Sequence, residues 1–311
     1  MSEITKVIVI GAGGSLNPVV ITSLQSHGFV VSVLIRTAST AEPPPGTNVF
    51  RTDYSRASLV SAFKGQDAVV NTITMPDFEE QKNIIDAAVD AGVKRFIPAE
   101  FGIDTSKEKT VEIMTFLRVK PQIIHYLRSI EDRITWTAII TGPFFDWSLG
   151  NGFFSFNLPA RVAYIHQPGY RSHRFSWSNL STVGEAVARV LLAQSSPMVV
   201  NQYVRVRSFN ASQDEILESL ISVSARIEAA RGSETVEWKQ ISVDLEEKVV
   251  EARNKLAQGD TSGLGYILSK AIYNTGGNFD EEGAVMNEKL RMKPDESMDD
   301  AIERELIKLF T

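Results

Sequence analysis

The sequence predicts an α/β protein, a doubly wound parallel sheet joined to a smaller mixed α/β lobe. Three observations carry that expectation. Short β-rich runs alternate with helical patterns through the first half of the chain. The first of these runs are apolar on both faces, as strands covered by two helical layers are. The first run also ends in a cluster of small residues directly before a helical pattern, in the stretch VIVIGAGGSLNPVV (7–20).

Taken in order, the strands are expected at KVIVIG (6–11), FVVSVLI (29–35), TNVFRTD (47–53), DAVVNTI (67–73), KRFIPAE (94–100) and TWTAIIT (135–141). Helices fill the gaps at 18–27, 56–64 and 79–91. Ser55 stands where an N-cap belongs, and Gly65 and Gly92 stand where helices stop. AEPPPG (41–46) reads as a surface connection between the second and third strands. A further helix is expected through 110–129, with Lys120 just before Pro121. A proline inside a helix removes one hydrogen bond and bends the axis, which would lean the lysine into a cleft.

After about residue 142 the rhythm changes. Residues 144–177 hold ten aromatics, in a chain that is 9% aromatic as a whole. Thr182-Val-Gly-Glu185 and Ser212-Gln-Asp-Glu215 have the spacing of capping boxes. YVRVRSF (203–209) and VEWKQISV (236–243) read as strands, and helices are expected at 246–257, 263–273 and near 298–310. The division expected is a first domain over 1–150 and a substrate lobe over 151–311, some of whose segments return to the sheet.

Composition narrows the function. The 311 residues suffice for one large domain or two small ones sharing a cleft. There is no cysteine, which excludes disulfides and thiolate metal sites. The four histidines (His27, His125, His166 and His173) lack metal-ligand spacing, so no metal site is expected. A net charge of −6 without a basic run argues against nucleic acid. No apolar stretch approaches the roughly 20 residues that span a membrane, and MSEITK lacks a signal-peptide pattern. The expectation is a cytoplasmic monomer or homodimer acting on a small molecule. His166 and His173 lie near Arg161, Arg171 and Arg174, which reads as a solvated loop or as a preference for an anionic substrate.

The glycine turn has a physical use. A pyrophosphate needs backbone N–H donors at a helix N-terminus with no Cβ in the way. Gly11, Gly13 and Gly14 provide that, followed by Ser15 and Leu16. Position 17, where a third spaced glycine would stand, is Asn17. Asn17 reads as the helix cap and Pro18 as the first helical residue. The second strand ends in Ile35-Arg36-Thr37 with no acid. A guanidinium there suits a 2′-phosphate by charge and bidentate geometry, which selects NADPH over NADH.

Ligands of open α/β sheets bind beyond the carboxyl ends of the strands. The residues placed there are Asp53, then Thr72, Ile73 and Thr74, then Ala99, Glu100 and Phe101, then Gly142, Pro143 and Phe144. Phe101, Phe144, Phe145 and Trp147 are the expected wall of a pocket for a flat apolar substrate.

GAGGSLNP, the strand-end arginine, KRFIPAEFGID, and a lysine some twenty residues later with a GPF strand end resemble the isoflavone reductase-like family. That family includes the phenylcoumaran benzylic ether and pinoresinol–lariciresinol reductases and falls within the NmrA-like, atypical short-chain dehydrogenases. The resemblance covers about residues 5–150 well and the remainder loosely. It implies a Rossmann-type fold, NADPH, and hydride transfer to an aromatic or polyketide-like substrate of secondary metabolism. It also implies that Lys120 is catalytic, either moving a proton as a general acid/base or stabilising an oxyanion as a cation. The sequence departs from the usual Ser-Tyr-Lys set. Phe116 stands where a tyrosine acid would be, and Ala99 where a serine often precedes Glu-Phe-Gly. Two other readings share the fold: a non-catalytic NADP(H) sensor, and a redox-neutral isomerase or cyclase.

Overall fold

The computed structural model describes residues 3–73, 77–294 and 296–310. The chain starts on β1 (Lys6–Ile10), whose Val7 and Val9 face one helical layer while Ile8 and Ile10 face the other. This two-sided burial is why the run is apolar throughout. The first half alternates α1 (Leu16–Ser26), β2 (Val30–Arg36), β3 (Asn48–Thr52), α2 (Arg56–Phe63), β4 (Ala68–Asn71), α3 (Phe78–Asp90) and β5 (Arg95–Ile97). Then come α4 (Glu108–Ile113), α5 (Val119–Ser129), β6 (Thr135–Ile140) and α6 (Phe145–Gly150).

The second half holds β7 (Phe156–Asn157), β8 (Val162–Gln167), β9 (Phe175–Trp177), α7 (Leu180–Leu192), β10 (Gln202–Arg205), β11 (Phe209–Ala211), α8 (Gln213–Arg231) and β12 (Lys239–Asp244). It ends on α9 (Leu245–Ala257), α10 (Leu264–Thr275) and α11 (Met298–Ile307). Among the described residues no helix is long and apolar enough to cross a membrane.

The main sheet runs β10-β6-β5-β4-β1-β2-β3, and every pairing in it is parallel. This is the expected doubly wound architecture. Its strand order reverses between β1 and β4, and the crevice at such a reversal is where ligands of these sheets bind. Helices α1 and α7 cover one face and α2, α3 and α5 the other. A Cβ on Gly184 of α7 would sit 2.9 Å from the Val19 carbonyl oxygen, so that glycine lets α7 pack directly on α1. The remaining strands form two small sheets, β12-β8-β7 and β11-β9, beneath α8 to α11.

Several local expectations need correction. Helix α1 begins at Leu16, so Asn17 is its second residue and Pro18 its third, not cap and first residue. Likewise the helix expected over 110–129 is broken. It comprises α4, a 3₁₀ turn at Thr115–Leu117, and α5. Pro121 is therefore the third residue of α5 and bends nothing. Both prolines occupy a first turn, where backbone N–H groups have no intrahelical partner to lose.

Thr182 is the third residue of α7 and does not cap it. The buried Asp146 carboxylate accepts from Leu180 N at 3.2 Å instead, a tertiary contact that fixes where α7 starts. The Ser212–Glu215 capping box forms as expected. The run 203–209 splits, with its start in the main sheet and its end pairing β9. His166 is in no solvated loop: it lies buried in β8, its Nε2 2.8 Å from Ser155 Oγ and its Nδ1 3.2 Å from Tyr273 Oη. Arg161 is buried too, donating to Glu228 at 2.7 Å.

Candidate active site

The glycine turn follows β1 directly. Gly11 has φ +105°, and a Cβ there would meet Asn17 Nδ2 at 2.6 Å. Glycine is required at that position by backbone and by space. Asn17 Nδ2 donates to the Gly13 carbonyl at 2.8 Å. Asn17 Oδ1 meets Thr72 Oγ1, whose proton it shares with the Ile10 carbonyl oxygen 2.7 Å away. An asparagine thus ties the turn to the end of β4 across the switch point, which a glycine could not do. Gly13 and Gly14 have no atom within 4 Å of a hypothetical Cβ, so the front of the turn is open. An open backbone cradle at the start of an 11-residue helix suits a pyrophosphate.

That cradle is one wall of a cleft of about 440 Å³. Gly13, Gly14, Ser15, Leu16 and Asn17 line it from the glycine turn and the start of α1, Thr72 from just past β4, Ala99, Glu100 and Phe101 from the loop after β5, Lys120 from α5, and Phe144 from just before α6. A second cleft of about 490 Å³ opens at the ends of β2 and β3, lined by Arg36, Thr37 and Asp53. Tyr54, Glu80 and Asn83 line it as well, and no sequence signal had marked them. The Arg36 guanidinium lies 5.7 Å from the centre of the Tyr54 ring, an arrangement that holds it over the cleft. Asp53 is exposed, and hydrogen bonding from the Ser55 hydroxyl, together with the Ser55 backbone N–H at 2.9 Å, holds its pKa below the usual range.

A third, mainly apolar space of about 190 Å³ adjoins the first. Phe101, Lys120, Phe144 and Trp147 line both, so the two meet at the lysine. Gly142 and Pro143 line the apolar space but not the first cleft. Thr141 N and Gly142 N both donate to the Gly102 carbonyl at 3.0 Å, which joins the ends of β5 and β6 into its floor. Met114, Leu117 and Leu268 also line it. The broken helix brings the first two into place, and Leu268 comes from α10, so no local pattern could have announced them.

Not every expected residue reaches the clefts. Phe145 is a correction. It is buried in the second-lobe core, edge-on to Trp177 at 5.5 Å and to Phe209 at 4.8 Å, because the first turn of α6 points it away from Phe144. Ile73 packs behind the turn against Gly11, and Thr74 lies outside the described residues. Phe116 is 40% exposed on the 3₁₀ turn, outside the clefts.

Lys120 is half-buried as the second residue of α5, and its Nζ donates to the Glu100 carbonyl oxygen. Burial lowers its pKa, while the Glu100 carboxylate pulls it back up. Glu100 is 2% exposed and accepts from Thr105 Oγ1 at 2.5 Å. Burial raises its pKa, against the opposing pull of Lys120 and Thr105.

A parallel sheet with a glycine cradle at its switch point is the architecture of a dinucleotide-binding protein. The NmrA-like family model matches residues 3–258, and the chain belongs to that family. It is 34% identical to the oxidoreductase aprR of Aspergillus flavus over 96% of this chain and 97% of that one. Over 36% of this chain and 40% of the relative it is 32% identical to a phenylcoumaran benzylic ether reductase of Nicotiana tabacum. Among solved structures, the pinoresinol-lariciresinol and phenylcoumaran benzylic ether reductases share its fold. There the TM-score is 0.71 at 17% identity, over 98% of this chain and 100% of the other. The complex of leucoanthocyanidin reductase with NADPH from Vitis vinifera matches with a TM-score of 0.70 at 16% identity, over 97% and 99% of the two chains. The expected resemblance to isoflavone reductase-like proteins is borne out by these relatives.

Proposed function

We propose that this chain is an NADPH-dependent oxidoreductase that reduces a small aromatic or conjugated substrate, of phenylpropanoid or polyketide type, with Lys120 as its catalytic residue. The observation that carries the reading is the position of Lys120 at the meeting of the glycine-lined cleft and the apolar space. The relatives named as oxidoreductases and the NADPH-bound structural neighbour support it.

The residues fit the cofactor. The open backbone of Gly13 and Gly14 and the start of α1 would hold the pyrophosphate. Arg36, set over Tyr54, would hold the 2′-phosphate. When bound, NADPH supplies a hydride. The chain's own part is to seat a flat substrate among Phe101, Phe144 and Trp147 and to hold a proton on Lys120 Nζ. An ammonium has three N–H donors. One is fixed on the Glu100 carbonyl, which aims the group and leaves the others for a substrate oxygen where negative charge develops. Among the described residues no tyrosine lines either space, and Phe116, at the tyrosine's usual position, lies outside both. The reading places the reaction in the cytoplasm.

The test is NADPH oxidation by the purified protein against aromatic ketones, quinones, enones and benzylic ethers, with Lys120→Met alongside. Turnover lost in the variant is the expected result. Tight NADPH binding without turnover on any class would overturn the reductase reading.

A further inference from the structure

Trp147 lines both spaces that meet at Lys120, and it also lines a further space of about 550 Å³ to which α6 and α11 contribute. An indole bordered by three spaces depends on its backbone for its direction. That backbone is α6, six residues long, and a helix so short is marginal on its own in water. Phe145 and Leu149 bury part of it in the second-lobe core. Asp146, the residue before Trp147, adds polar bonds. Its buried carboxylate accepts from Trp147 N at 2.8 Å and from Leu180 N, at the start of α7, at 3.2 Å. The cation facing it is Arg304 of α11, whose Nη2 donates at 3.1 Å. Arg304 is held in turn, its Nε donating to Glu305 at 3.3 Å and its Nη1 to Glu296. Helix α11 lies so close on α6 that a Cβ on Gly150 would meet Glu305 Oε2 at 3.0 Å.

The geometry points to Arg304 as a positioning residue: through Asp146 it clamps the C-terminal helix α11 to the first turn of α6, and so holds Trp147 in the shared wall of the cofactor cleft and the substrate space. The inference rests on the proposed function, since it takes the glycine-lined cleft as the cofactor's. Arg304 itself lines neither of the two spaces that meet at Lys120, so it acts through Asp146 and Trp147. A guanidinium suits the task, because its planar fork reaches three carboxylates at once. Without Arg304, the Asp146 carboxylate keeps its backbone N–H donors but loses the charge that faces it, and a buried carboxylate without a cation is costly. Turning α6 to carry Asp146 toward water relieves that cost. Consecutive residues of a helix stand at a fixed angle to one another, so Trp147 turns with it.

The experiment reads Trp147 directly. Of the four tryptophans, Trp136, Trp177 and Trp238 are buried and Trp147 is half-buried, so quenching of the fluorescence by acrylamide reports mainly on Trp147. The full chain is titrated with acrylamide, with and without saturating NADP⁺, as wild type, Arg304→Met and Arg304→Lys. Trp147→Phe in each background isolates the Trp147 signal. Far-UV circular dichroism and NADP⁺ affinity serve as folding controls. The expected result is that NADP⁺ shields Trp147 in the wild type, that Arg304→Met loses the shielding while still binding NADP⁺, and that Arg304→Lys, which keeps a cation opposite Asp146, restores part of it. Should Arg304→Met fail to fold, Asp146→Asn, which removes the charge that Arg304 acts on, carries the test with the same expected loss. Full shielding in a folded, NADP⁺-bound Arg304→Met or Asp146→Asn overturns the clamp and leaves the reductase reading standing. NADP⁺ binding that leaves wild-type Trp147 unshielded removes Trp147 from the cofactor cleft, and the clamp with it. No binding of NADP⁺ to the wild type overturns the cofactor reading itself.

Discussion

The Nζ of Lys120 donates to the main-chain carbonyl oxygen of Glu100, so the lysine is held by backbone in the loop just beyond β5. That bond joins α5 to the strand end and fixes an amine where two clefts meet. It also places a cation where burial opposes its charge.

Replacing Lys120 by Met therefore separates activity from stability. Loss of a positioned proton donor costs about 10²- to 10⁴-fold in rate. The folded protein, however, becomes more stable at neutral pH. A lysine whose folded pKa lies below its unfolded value carries a penalty that is full below the folded pKa and gone above the unfolded one. Wild-type stability thus rises with pH through that window, and Lys120→Met flattens the rise. Urea denaturation from pH 7 to 10, run beside NADPH oxidation, checks both halves.

Arg36→Ala should weaken NADPH binding by about 10- to 100-fold and change NADH binding little, since a guanidinium on a 2′-phosphate forms charge-assisted hydrogen bonds that NADH cannot offer. Fluorescence titration with the two cofactors measures the ratio. Equal losses would remove Arg36 from the cofactor site.

Two glycines of the same turn should behave oppositely. Gly11→Ala forces a Cβ to 2.6 Å from Asn17 Nδ2 at φ +105° and should cost about 1–3 kcal/mol of stability. Gly13→Ala meets nothing within 4 Å. It should leave stability within about 0.5 kcal/mol while weakening NADPH, because the new methyl projects into the cradle. Thermal melts with and without cofactor distinguish the two.

His166 predicts acid sensitivity of the second lobe. Burial lowers its pKa from 6.5 to about 4. The unfolded chain then binds the proton more readily, so stability falls as pH drops from about 6.5 and levels off below about 4, a loss of about 3 kcal/mol. His166→Gln should remove most of this slope between pH 7 and 4, measured by denaturation at each pH. An unchanged slope would assign the acid lability to other groups.

The parallel sheet was legible in the order of residues alone, because strands covered on both faces must be apolar throughout, as Val7 to Ile10 are. The glycine turn was legible as well, since a helix N-terminus directly after a strand leaves N–H groups to be satisfied. Tertiary structure decided what depends on partners far along the chain. Asn17 looks like a cap because caps are read locally, yet its Oδ1 answers to Thr72 on another strand. Pro121 looks like a kink until the break before Val119 moves it into a first turn. Phe144 and Phe145 are neighbours of identical chemistry, and only the direction of α6 sends one to the cleft and the other to the core.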